Sequence, residues 1–400
     1  VVHALPADPA VRLRRAAYLE GIGRYPEAVE DYLTAGRSFR ETFRMADATR
    51  ACERAVRLAE SSAGLKGQAL AKVYAQAGDA YANNYSATSV SSAIRAYDKA
   101  VGLDPDNGPY WLTLGQLRER AGRPDDLARA EDAYRTAVAK RPGDRTTLEA
   151  HARFLARLRK WGSAANAYGA LVPLVPDDDA IRTRKAAALA AAGDLAGAED
   201  VLAECTVKLP NKPNAWLYLA LVQLARDRRA EYEKTCAAML DRFAKGSPAD
   251  VNQTTWAWAL AGQPATLGPR MVALAQTLDT SDPPASAGQL NTLGAVLYRA
   301  GSANEAIAVL RRAQSARPPG DYSPRDAYGR VTDGLFLAMG YSAAGDPAKA
   351  QEFLEQAKGA IDRLDVVANG LTGEQELGQV WHRLEAARLR QEADELFGKR

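Results

Sequence analysis

The sequence predicts an all-α fold, a right-handed α-solenoid of antiparallel helix pairs with about eight repeat-like units. Three observations carry this expectation. The first is composition: hydrophobic residues make up 47% of the 400-residue chain but aromatic residues only 7%. Ala and Leu dominate the apolar share. With Arg and Glu they are strong helix formers, whereas the β-branched and aromatic residues that favour strands are sparse. The second is a period: Ala130, Ala164 and Ala198 recur every 34 residues, and the next step reaches Tyr232. The third is turn chemistry. AAGDLAGA (191–198), RAGSANEA (299–306) and AAGDPAKA (343–350) place a glycine after one helix, then a capping residue, then the next helix.

Each periodic residue opens an amphipathic stripe. Four residues on stand Tyr134, Tyr168, Leu202 and Cys236; seven on stand Ala137, Leu171, Cys205 and Met239. Pro142, Pro176 and Pro210 then stop the first three helices. The preceding helix of each unit has its own signature, a bulky residue, a Leu and a small residue. Trp111, Leu114 and Gly115 supply it in YWLTLGQL, Trp216, Leu219 and Ala220 in AWLYLALV, and Leu290, Leu293 and Gly294 in QLNTLGAV. A small side chain lets the neighbouring backbone approach while bulky ones fill the space beside it.

These residues resemble the tetratricopeptide repeat (TPR) family over most of the chain. GRYPEAVEDYLTA (23–35) belongs to a first repeat, SSAIRAYDKAVGLDP (91–105) and LRRAQSARPPG (310–320) to others. The expected organisation is N-terminal units with an extra helix within 42–87 (residues 1–107) and a regular block (108–244). A degenerate helical pair (245–286, with helices at 249–261 and 268–278), two further units (287–360) and a terminal region (361–400) follow. In that region a polar helix over about 373–397 is expected to close the array by covering its last apolar face. Residues 213–360 are also similar to the C-terminal repeat region of planctomycete-type bacterial Ser/Thr kinase or WD-repeat proteins. That resemblance implies a bacterial origin and a parent polypeptide with its catalysis elsewhere; the missing initiator Met fits such a fragment. No VAIK-like, HRD or DFG sequence is present.

Composition narrows the function classes. The formal charge is +3, from 52 basic and 49 acidic residues, so nucleic acid is not the expected partner. No stretch approaches 18 consecutive apolar residues, and no membrane partner is expected. Cys52, Cys205 and Cys236 show no metal or disulfide spacing, which points to a reducing, cytoplasmic setting. Cys205 and Cys236, on stripes of adjacent units, read as small hydrophobes ahead of a redox pair. His3, His151 and His382 have no ligand partner at metal spacing, so neither a metal site nor a cofactor is expected. Gly21–Ile22–Gly23 reads as a helix-ending turn, and Asp177, Asp178 and Asp179 as a helix cap. Trp111, Trp161 and Trp216 read as packing residues. Trp256, Trp258 and Trp381 lie in less regular helices, and for Trp256 and Trp258 packing outweighs a ligand surface.

The resulting expectation is a non-catalytic scaffold that binds a peptide or partner helix on the concave wall lined by first helices. The alternative is a regulatory or substrate-recruiting region of a larger signalling protein. Helical periodicity places Gln116, Arg120, Glu149, Arg153, Arg157, Arg184, Asn291 and Arg299 on that wall. Arg153, Arg157 and Arg184 would favour an acidic peptide, with a solvated charged face as the competing reading. A hydrolase would require convergent Asp, Glu and His on the wall, and the sequence places only isolated ones there. The Pro- and Gly-rich loop 315–330 is a candidate for motion or contact.

Overall fold

The computed structural model describes residues 8–61, 64–82, 87–261, 267–279, 285–317, 324–370 and 373–398. Among them every regular element is a helix. The chain divides into two compact units, Val1–Phe154 and Leu155–Arg400.

In the first unit α1 (Pro9–Gly21), α2 (Tyr25–Glu41) and α3 (Met45–Ser61) pack in sequence, so that α2 has α1 on one side and α3 on the other. Two pairs follow, α4 (Gly67–Ala82) with α5 (Ala87–Leu103) and α6 (Gly108–Ala121) with α7 (Pro124–Lys140). The start of α8 (Arg145–Arg157) completes the unit.

The second unit continues with α9 (Trp161–Leu171), α10 (Asp179–Ala191), α11 (Leu195–Lys208), α12 (Pro213–Ala225) and α13 (Arg229–Phe243). Two helices, α14 (Pro248–Ala259) and α15 (Gly268–Gln276), fill the interval read as a degenerate pair. Then come α16 (Ala287–Arg299), α17 (Ala303–Ser315), α18 (Pro324–Ala343) and α19 (Pro347–Gly370). The terminal segment is broken at Gln379 into α20 (Gly373–Gly378) and α21 (Val380–Gly398).

The helix pairs are held by recurrent local devices. A Cβ added to Gly36, Gly78 or Gly294 would come within about 2.6 Å of Cys52, Tyr97 or Leu310 on the following helix. At Gly115 the corresponding approach to the Tyr134 ring is 3.2 Å. Only glycine lets these helices lie so close. The turn between pair members carries a left-handed residue, supplied by Gly23, Gly122, Gly193, Gly301 and Gly345 and, against the usual chemistry, by Phe43, Arg159 and Asp227.

The inter-unit loops have a device of their own. The side chains of Trp111, Arg182 and Trp216 donate to the carbonyls of Pro105, Pro176 and Pro210 at 2.9, 2.7 and 2.9 Å. The bulky position therefore also ties down the loop that precedes its helix. Asp178 accepts from the Ala180 and Ile181 amides and caps α10. All three cysteines are buried free thiols. Burial pushes Cys52 and Cys236 up to about 12, far from the thiolate that redox chemistry needs.

Candidate functional site

In the second unit the first helices α12, α14, α16 and α18 pack side by side and form an inner wall. The terminal helix α21 lies on this wall, against α10, α12 and α18. The helix expected over about 373–397 is thus two helices, α20 and α21, of which α21 packs on α18 of the last pair as well as on α12. The buried residues Trp381, Glu385, Leu389 and Ala393 fall every fourth position and make one stripe of α21, a helical face directed at the wall.

Three contacts fix the register. Trp381 stacks on Tyr218 of α12, with ring centroids 4.5 Å apart. Glu385 accepts from the Trp256 indole of α14 at 3.1 Å and from the Tyr328 hydroxyl of α18 at 2.5 Å. Glu392 forms a bidentate pair with Arg299 of α16. The neighbouring α20 carries Glu376, which pairs with Arg159 and with Arg383.

Glu385 is 3% exposed. Burial pushes its carboxyl up to about 7, against the pull of the two hydrogen bonds. Its donors are neutral, and among the described residues no arginine or lysine pairs with it. Tyr328, which holds one oxygen, stacks on His382 at 4.4 Å, and His382 Nδ1 meets Gln379 Oε1 at 3.0 Å. A second buried network lies behind this one. Asp333 receives Arg317 Nε and Asn291 Nδ2, each at 2.6 Å. Burial raises the Asp333 carboxyl and the Arg317 guanidinium opposes that shift. Around both networks the wall and α21 line a cavity of about 710 Å³, to which Asn252, Gln253, Thr292 and Thr332 also contribute.

The predicted site residues separate on this geometry. Asn291 is 5% exposed and bonded to Asp333. The Arg299 side chain is 3% exposed and is held by the Ala259 carbonyl as well as by Glu392. Both stand on wall helix α16 and are covered there, Arg299 by its pair with Glu392 of α21 and Asn291 by Asp333 of α18. The physical reason is the same in each case: a carboxylate distant in sequence satisfies a donor that periodicity alone points outward.

Arg120 is exposed but donates to the Ala82 carbonyl at 2.7 Å. Gln116 is exposed, and Glu149 is half-buried with Arg145 at 3.8 Å. Arg153 lies at the end of the first unit, and Arg157 and Arg184 in the second; all three are exposed. His151 stacks on Tyr134 with its proton affinity lowered by burial, whereas His3 and residues 318–323 of the loop 315–330 lie outside the described residues. Sequence reasoning missed Glu385, Tyr328 and Trp381. The available signal was a glutamate interrupting an otherwise apolar every-fourth-residue stripe.

Comparison with known proteins adds likenesses of architecture. No protein-family model matches the sequence, and no curated protein matches it. Among solved structures the chain is similar to a tetratricopeptide repeat protein from Parabacteroides merdae. The identity is 12% and the TM-score 0.37, over 78% of this chain and 98% of that one. It is also similar to the C-terminal part of a TPR repeat-containing protein from Cytophaga hutchinsonii, with 12% identity and a TM-score of 0.44 over 63% and 95%. A third is Naa15/Naa10 bound to HypK, with 13% identity and a TM-score of 0.40 over 92% and 68%. Function is not carried over at such values, and the repeat architecture stands on the chain's own helix pairs. Among the described residues no helix is long and apolar enough to cross a membrane. No group of three or more His, Cys, Asp or Glu among them could hold a metal ion.

Proposed function

We propose that the protein is an interaction scaffold whose second unit receives an amphipathic helix on the wall formed by α12, α14, α16 and α18. The seating of α21 is the observation that supports this reading. That helix meets the wall through an aromatic stack, a buried carboxyl and a bidentate ion pair, the kind of anchors by which a groove reads one face of a helix. In this reading α21 occupies a place that a partner helix can take, and partner capture is governed by release of α21. The finer expectation, an acidic partner, rests on Arg157 and Arg184, whose exposed guanidinium groups suit carboxylates.

A protease site inserted at residues 371–372 of the full chain tests the reading. After cleavage a labelled synthetic peptide of residues 379–398 should exchange into the wall. The same peptide carrying Trp381→Ala and Glu392→Ala should bind at least about tenfold more weakly, a difference of about 1.4 kcal/mol. Equal binding of the two peptides, or no exchange, would remove the helix-docking assignment.

A further inference from the structure

The cavity beneath α21 has a chemical character of its own. Its lining carries one carboxylate, Glu385, held by two neutral donors. The lining arginine, Arg317, is already matched by Asp333 at 2.6 Å. Asn252 Oδ1 and Gln253 Oε1 are buried side-chain acceptors without a hydrogen-bond partner among the described residues. The aromatic rings of Tyr218, Trp256, Tyr328 and Trp381 form part of the same walls.

A buried carboxylate without a cation, beside acceptors without donors, is a costly arrangement. A ligand that brings positive charge relieves the first deficit, and a primary ammonium, which is all donor and no acceptor, relieves the second as well; a quaternary ammonium has no N–H and is held by its charge and the aromatic rings alone. Aromatic rings add attraction for a cation through their negative faces. An anion would meet Glu385, and a neutral molecule would leave it in its protonated form without a counter-ion role. The volume of about 710 Å³ is that of a small-molecule site.

We propose that this cavity binds a small organic cation, a molecule bearing a primary or quaternary ammonium group, with Glu385 as its counter-ion and the four aromatic residues as its walls. This goes beyond the helix-docking reading and requires no partner protein. On binding, the Glu385 carboxyl gives up its proton to the solvent and the ligand's positive charge takes its place. Among the described residues that line the cavity, the titratable and charged groups besides Glu385 are Tyr218 of α12, Tyr328 of α18, His382 on its own helix and Arg317, the last paired with Asp333.

The test is calorimetry and tryptophan fluorescence on the full chain, with n-butylamine and choline as probes and n-butanol and butyrate as neutral and anionic controls. Both cations should bind saturably and perturb tryptophan emission, and both controls should bind at least about tenfold more weakly. Glu385→Gln should lower amine affinity by at least about tenfold. At about pH 6, below the Glu385 value of about 7, choline binding to the unaltered protein should release close to one proton, read from heats in buffers of different ionisation enthalpy. That measurement decides the matter if Glu385→Gln does not fold. Equal binding of the controls, no saturable amine binding, unchanged affinity in a folded Glu385→Gln variant, or choline binding without proton release would each overturn the proposal.

Discussion

The two units solve the same packing problem with different polar chemistry. In the first, a tyrosine of one helix donates to a carboxylate on the helix before it, and the device recurs: Tyr32 to Glu20 at 2.9 Å, Tyr97 to Asp79 at 2.6 Å, Tyr134 to Glu119 at 2.6 Å. The partners are close in sequence and the carboxylates lie at the rim of the pair, within reach of water. In the second unit the equivalent Tyr232 turns to the backbone carbonyls of Ala257 and Trp258. Carboxylates there take partners from far along the chain: Glu392 pairs with Arg299 93 residues away, Glu385 accepts from Trp256 129 residues away, and the buried Asp333 receives Asn291 from 42 residues away as well as the nearer Arg317. Rim contacts can repeat because each is nearly independent of its neighbours. Buried networks cannot, since every member must be satisfied at once, and this makes them markers of one particular arrangement.

The sharpest way to break the comparison is to remove one cation from each unit. The Arg317 and Asp333 side chains are 6% and 0% exposed. Arg317→Met leaves a buried, uncompensated charge and should cost about 3–5 kcal/mol in denaturant unfolding. Lys99→Met in the first unit removes the exposed pair with Glu60 and should change stability by no more than about 1 kcal/mol. Similar losses at the two sites would mean that the units do not differ in the way described.

The second expected effect is a pH dependence that Glu385 contributes to the second unit. Glu385 has its carboxyl raised from the ordinary 4.5 to about 7 by burial. The folded state therefore holds a proton that the unfolded chain has already lost. The associated stability is fully present below about pH 4.5 and is lost as pH rises through about 7. Glu385→Gln should remove this term, so the stability difference between variant and parent should move by about 3 kcal/mol in the variant's favour across that window. A pH-independent difference between the two would show that Glu385 is not buried as an acid.

A third experiment asks what the units share. Gly78→Val and Gly294→Val each drive a side chain into Tyr97 or Leu310 across a close helix pair. Both should cost about 1–3 kcal/mol by overpacking. Here equality between the units is the expected result, and a cost in one alone would separate their cores as well as their polar chemistry.

The same contrast explains how much of the molecule is legible in the sequence. Ala130, Ala164 and Ala198, the prolines that stop their helices and the glycine turns are local features, so the amino-acid sequence alone is enough to place the helix pairs. Asn291 and Arg299 escape that reading because their partners, Asp333 and Glu392, lie 42 and 93 residues away, a distance over which no periodicity carries information. The cavity is hidden for the same reason: Trp256 and Glu385 are 129 residues apart. The glutamate in the α21 stripe is a sign of a buried charge, but a polar residue on a terminal helix reads equally well as solvated.

The smallest predicted effect concerns the turns, where both units depart from the usual chemistry. Phe43, Arg159 and Asp227 hold φ of 59°, 57° and 56° at turn positions where Gly23, Gly122, Gly193, Gly301 and Gly345 serve other pairs. A side chain in this region clashes with its own backbone, at about 1–2 kcal/mol per residue. Glycine removes that strain but loses more entropy on folding. Phe43 is 86% exposed, so its substitution sacrifices little packing, whereas Arg159 pairs with Glu376 beside α21. Phe43→Gly should thus raise stability by about 0.5–1 kcal/mol, and Arg159→Gly should gain less because it also releases α20. Thermal melts of the two variants test this directly. A larger gain at Arg159 would mean that its ion pair contributes nothing to holding the terminal helices on the second unit.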